Sequence, residues 1–341
     1  MTELHEVERL RSEVPLDLDL TGAESLFQDG VKKPRRGRFR PSPMRPLLAT
    51  AVLAAAGATA GAYFSATPGD EKTVPVADVS VVMDRAAARA LADPLPTPRS
   101  GQYIYREVQE TQQADAYEQD GSARWLEHQR TETWQSVNGA HPDLTRSKDR
   151  QRLPMPGRTL PPEATRMPAS AADEMVTKPC GVRPPLERPF LDAVPADADA
   201  LLRLIDKVDD PVDDDGDGAE DDRGARLWET ASDLLVGSAA PAPVQAALYK
   251  AIAKIPGVAL VGDSVDAAGR HGFAVARVNG DERNELIFDR ATYRFLGERS
   301  VVVKSGDSGP AGAFLGASAI LRTAVVDAPP KPGPHAQYGD C

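Results

Sequence analysis

Two Gly-Asp-Ser stretches carry the residue types of a nucleophile. Gly262–Val265 reads "GDSV" after an apolar run, as in hydrolases of the GDS type, and Gly306–Pro310 reads "GDSGP", close to the "GDSGGP" of trypsin-like proteases. A serine nucleophile needs a base within hydrogen-bond reach and a third group to orient that base. Downstream of the first stretch, His335 follows Gly333 and Pro334, with no Asp at the Asp-x-x-His spacing. The second stretch lacks one glycine, and no disulfide-rich, His-bearing N-terminal half accompanies it. Turn chemistry accounts for Gly-Asp-Ser without catalysis. A hydrolase is therefore the third-ranked reading: it requires a polar cleft bringing His271 to Ser264 or Asp266. The chain reads as a non-enzyme, with no catalytic residue and no cofactor assigned.

The acidic stretch "DDDGDGAED" holds the residue types of a calcium loop. Asp213, Asp215, Asp217, Gly218 and Asp221 match the first, third, fifth, sixth and ninth positions of an EF-hand. The twelfth, which supplies a bidentate Glu in that loop, is Gly224. The site is thus a weak calcium candidate against a solvated acidic loop between two helices. The histidines, His5, His128, His141, His271 and His335, are too scattered to form a metal set. No Gly-rich phosphate loop follows a strand. Cys180 and Cys341 stand outside any Cys-x-x-Cys, so zinc and thioredoxin-type readings have no support. In an oxidising compartment the two could pair, and otherwise they are unrelated thiols.

That compartment hangs on the run "MRPLLATAVLAAAGATAGAYF", Met44–Phe64. From Leu47 to Phe64 it has no charge, and at 1.5 Å per residue it falls just short of the roughly 30 Å hydrocarbon core. Lys32, Lys33, Arg35, Arg36, Arg38, Arg40 and Arg45 precede it, whereas residues 65–84 carry Lys72 among four acids. That asymmetry places the N-terminus inside and the rest outside. The run reads first as a transmembrane helix over 46–64. A cleaved signal is the rival, since "ATA" and "AGA" offer small residues, but the basic leader is long for one. A buried helix would carry polar residues every third or fourth place, and here only Thr50 and Thr59 are polar. The net charge of −11 lies wholly beyond residue 45 and argues against a nucleic-acid partner.

The remaining elements follow from periodicity. Residues 1–45 read as a cytoplasmic basic segment, mostly disordered, and 65–99 as a juxtamembrane linker and helix, the helix being "ADVSVVMDRAAARALA" (77–92). The extracytoplasmic domain, 100–328, opens with "GQYIYREVQETQQ" and "ARWLEHQRTETWQSVNG" as a long antiparallel hairpin. Prolines then cluster over 142–189, predicting an irregular loop. Helices are predicted at 196–208, with Asp197 as N-cap, at 225–237 and at 243–255. "VALVGDSVDA", "HGFAVARVN", "NELIFD", "YRFLGERSVVVKS" and "AFLGASAILRTAVV" form a meander with a hairpin signal at Asn279–Gly280. Residues 329–341 read as a disordered tail.

The stretches "PTPRSGQYIYRE", "TETWQSVNGAHPDL", "ALYKAIAKIPGV", "DAAGRHGFAVAR" and "ELIFDRATYRFLGERSVVV" together resemble a family of single-pass membrane proteins from high-GC Gram-positive bacteria. The likeness covers about residues 80–328. Members are often encoded beside extracytoplasmic-function sigma factors, which implies envelope sensing and a cytoplasmic sigma-factor partner at residues 1–45. The resemblance carries over no catalytic residue. In architecture the pieces also look like the curved sheet of lipoprotein carriers. The expected fold is α+β: a curved antiparallel sheet of about seven strands with helices packed on one face, preceded by one transmembrane helix. The expected function is a non-enzymatic envelope sensor or regulator at the cell membrane. The alternative is a carrier of an apolar, lipid-like ligand, with a deep pocket lined by Ile104, Trp125, Phe273 and Phe288.

Overall fold

A computed structural model of the chain describes residues 76–118, 121–166, 173–179, 190–208, 223–306 and 308–340. The segment Leu47–Phe64, and with it the expected transmembrane helix, lies outside them. Among the described residues no helix is long and apolar enough to cross a membrane.

Helix α1 (Val76–Ala92) buries Val79, Met83, Ala86 and Ala87, a stripe at helical spacing. It ends at Asp93, whose carboxylate takes Arg89, and at the prolines that follow. Strands β1 (Tyr103–Glu118) and β2 (Gly121–Ser136) pair in one unbroken register from Tyr103↔Ser136 to Glu118↔Gly121. After β3 (Asp143–Pro154) come α2 (Pro162–Arg166), β4 (Glu174–Thr177), α3 (Phe190–Ala193), α4 (Ala198–Val208), α5 (Arg223–Gly237) and α6 (Ala242–Ile252). The meander is β5 (Val258–Val265), β6 (His271–Asn279), β7 (Glu282–Phe288), β8 (Phe295–Val302) and β9 (Phe314–Val326), with β10 (Gln337–Gly339) last. Gly280, at φ 63°, takes the left-handed position of the tight β6–β7 turn.

The strands form one curved, unclosed sheet in the order β10-β4-β3-β2-β1-β9-β8-β7-β6-β5. The fold is α+β, and its sheet differs from the expected one in two ways. It has ten strands rather than about seven, and it is mixed, because β10 runs parallel to β4. The expected loop over 142–189 contains β3 and β4: within β3 the one proline is its final residue, and "EMVT" has none. The expected tail supplies β10, fastened by the Gly333 amide to Glu174 (2.5 Å) and the Lys178 amide to the Gly339 carbonyl (3.0 Å).

Strand alternation sorts the core. Val258, Leu260, Val275, Leu286 and Phe288 meet the helices in one cluster with Met83 of α1, Leu201 of α4 and Leu248 of α6. Val261, Ala274, Ala276 and Ile287 form a second cluster from the alternate positions. Helix α1 was expected ahead of the domain at 100–328; its buried stripe makes it part of that domain's main core.

Candidate functional site

The structure separates the residues that a hydrolase would need together. Ser264 is 1% exposed, and its hydroxyl donates to Glu285 Oε2 at 2.5 Å. Glu285 is equally buried, and its other oxygen accepts from Arg283 Nε at 2.7 Å. His271 lies on an exposed position of β6 and turns to Asp263, Nδ1 to Oδ2 3.3 Å, where Arg290 also binds at 2.6 Å. Asp266 is fully buried; it accepts the amides of Ala268 and Arg270 and pairs with the Arg270 guanidinium at 2.6 Å. That guanidinium also donates to the carbonyls of Leu296 in β8 and Ile320 in β9, so it clasps two strands. In the second stretch, the Ser308 amide donates to Asp281 at 3.0 Å and its hydroxyl lies 2.6 Å from Glu282. The Ser308 amide is the main cause holding the Asp281 carboxyl below its ordinary range. Both Gly-Asp-Ser stretches thus have a folding role: Ser264 holds Glu285, and Ser308 holds Asp281 and Glu282.

Of the four residues expected to line a deep apolar pocket, two meet. Phe273 and Phe288 stack at 5.6 Å with planes 9° apart, and Tyr249 and Phe295 close on Phe288 at 5.5 Å each. Phe273 and Phe288 pack face to face within the sheet–helix interface, and offset or tilted ring pairs of this kind are favourable contacts. Ile104 and Trp125 are buried elsewhere: Trp125 Nε1 donates to Glu127, at the pair that Glu127 forms with Arg152. The calcium candidate, Asp213, Asp215, Asp217 and Asp221, and both cysteines, Cys180 and Cys341, lie outside the described residues. The stem of the acidic loop is described: Arg223 binds Asp206 with two hydrogen bonds of 2.6 Å, and Gly224 is already inside α5. Among the described residues no three His, Cys, Asp or Glu side chains gather as a metal site.

Neither a protein-family model nor a curated protein matches the chain.

What sequence reasoning missed is a cleft of ≈ 350 Å³ between the end of α1, the α5–α6 connection and strands β1, β8 and β9. Arg89, Arg106 and Arg294 line it, with Tyr249, Tyr293 and Gln245. Arg89 and Arg294 both reach Asp93 Oδ2 at 2.7 Å. Arg106 donates to the Val236 carbonyl at 2.5 Å, and burial pulls its guanidinium pKa down, with Glu110 opposing. Tyr293 holds φ 58° in the β7–β8 turn, where Asp289 accepts the amides of Ala291 and Thr292. A bulky residue there is an outlier, and it sets the ring against Phe273 and beneath Arg85. The legible sign was Arg106 itself. It shares a strand face with the buried Ile104, where an unpaired cation is out of place.

Proposed function

We propose that the chain is a non-enzymatic envelope sensor or regulator, anchored by residues 46–64, with the α+β domain extracytoplasmic and residues 1–45 in the cytoplasm, available to a sigma factor. The observation that carries this reading is the seat of α1. It follows the apolar run after residues 65–75, which reach at most about 40 Å, and Val79 and Met83 on it are at 0% exposure in the main core. An anchor at 46–64 would therefore feed straight into the folded domain rather than into a detached one. Strain on the domain would act directly on the helix nearest the bilayer. The stacking of Phe273 on Phe288, two residues expected to line a deep apolar pocket, supports a sensor over a carrier with that pocket. The engagement of Ser264 by Glu285 supports a non-enzyme.

The test uses the full chain, tagged at the N-terminus, in crosslinked membranes. A sigma factor recovered with the intact chain and lost on deleting residues 1–30 is the expected result, with the basic stretch and anchor left in place. Protease added to right-side-out vesicles should degrade the domain and spare the tag. Protection of the domain would reverse the topology, and recovery of no cytoplasmic protein would remove the regulator role. A carrier of a lipid-like ligand is the second reading, favoured by a cleft that sets an apolar wall of Ala86, Leu235 and Phe295 beside its arginines.

A further inference from the structure

The cleft has too much positive charge for its own walls. Its lining includes Arg89, Arg106, Arg270, Arg294 and Arg322, with Asp93 as the one acid. Two of these are occupied: Arg270 by Asp266, and Arg322 by stacking over Tyr105 at 5.6 Å. Three remain. Arg89 and Arg294 share a single carboxylate oxygen, and Arg89 Nε is buried without a hydrogen-bond partner. Arg106 pairs with no carboxylate at ion-pair distance among the described residues; its bond goes to a neutral carbonyl. Of the three only Arg106 is withdrawn from water, with Glu110 its sole electrostatic counterweight, while Arg89 and Arg294 stand half-exposed at the mouth. A buried cation is costly, and the cost is relieved by a ligand that brings an anion against it.

A second observation is independent of the arginines. Tyr249 is 2% exposed and lines the same cleft. Its hydroxyl accepts from Gln245 Nε2 at 3.0 Å, which leaves its own proton without an acceptor among the described residues. A buried donor normally has a partner. Ala86, Leu235, Phe295 and Ile320 supply an apolar wall. The volume, ≈ 350 Å³, is that of a small-molecule site.

We propose that this cleft binds a small amphiphile with an oxyanion head, phosphate or carboxylate. Arg89, Arg106 and Arg294 grip the head, Tyr249 donates to it, and a short chain lies along Ala86, Leu235 and Phe295. Planar guanidinium groups suit an oxyanion because they can donate two parallel hydrogen bonds. The inference deepens the reading above and rests on it only for the compartment in which the ligand is met. Titration tests the cleft and protease access tests the topology, so the two fail separately.

The experiment uses the full chain in phosphatidylcholine nanodiscs, with empty discs as background. Octyl phosphate, octyl glucoside and inorganic phosphate are titrated by calorimetry and by the thermal midpoint. Octyl phosphate should bind saturably and raise the midpoint, and octyl glucoside should not. Arg106→Gln, Arg294→Gln and Tyr249→Phe should each weaken octyl phosphate at least tenfold. Arg294 is an exposed side chain, so should Arg106→Gln fail to fold, Arg294→Gln decides. Equal binding of octyl glucoside, or unchanged binding in both Arg294→Gln and Tyr249→Phe, overturns the proposal. A dioctanoyl phosphatidylglycerol that binds more tightly than octyl phosphate assigns the oxyanion to a lipid headgroup. Inorganic phosphate that binds as tightly as octyl phosphate assigns it to a free anion and overturns the role of the apolar wall.

Discussion

Glu285 has both oxygens engaged at 1% exposure, one by Ser264 and one by Arg283. Removing the hydroxyl leaves a buried carboxylate short of a donor. Ser264→Ala should therefore lower stability by about 1–3 kcal/mol, read as a shift of the urea midpoint at constant slope. A nucleophile would behave otherwise, because its removal tends to relieve strain. His128 makes a second residue-scale prediction. Burial is the main cause that pulls its pKa below the ordinary 6.5, with Asp149 opposing, and its Nδ1 lies 2.8 Å from the Thr111 hydroxyl. The folded state thus holds neutral imidazole while the unfolded chain takes a proton. Stability is full above about pH 6.5, falls as pH drops through that unfolded value, and stops falling below the folded pKa. Denaturation of His128→Gln between pH 7.5 and 5 should show a flatter profile than the parent; parallel profiles would refute the assignment.

Among the helices, α4 is the one whose N-cap was legible to the residue. Asp197 accepts the Ala200 amide at 2.8 Å, the N-cap bond its position predicts. Asp197→Ala should cost about 1 kcal/mol, seen in equilibrium unfolding. The hairpin and the meander were equally readable, because alternation of apolar and polar residues is written locally in β1, β2 and β5–β9. What was not legible was pairing between distant strands. Nothing in "EMVT" announces β10 as its partner, and proline density averaged over 142–189 hid the proline-poor run from Asp143 to Leu153. The cleft was hidden for the same reason: Arg89, Arg106, Tyr249 and Arg294 come from α1, β1, α6 and the β7–β8 turn, and only the fold brings them together. Truncation after Pro329 should strip β10 from β4 and raise amide exchange at Met175–Thr177. Exchange at Leu260 and Val275, at the far end of the sheet, should hold.

At the scale of the whole molecule, α1 belongs to the body it was expected to precede. Met83→Ala should cost about 2–5 kcal/mol, and a fragment starting at residue 100 should fail to give a cooperative transition where one starting at 76 succeeds. The order of strands has another consequence. β1 is held on one side by β2, its neighbour in sequence, and on the other by β9, which begins at Phe314. At synthesis rates of about 5–20 residues per second, the β1 edge waits on the order of 10–40 s for its partner to be made. Through that interval the first hairpin is a long ribbon with open backbone donors, the kind of edge that recruits foreign strands. The molecule therefore joins the two halves of its sheet late and at the middle, with only the short edge strand β10 still to come, and its yield in a cell depends on whatever shields that seam while the ribosome works.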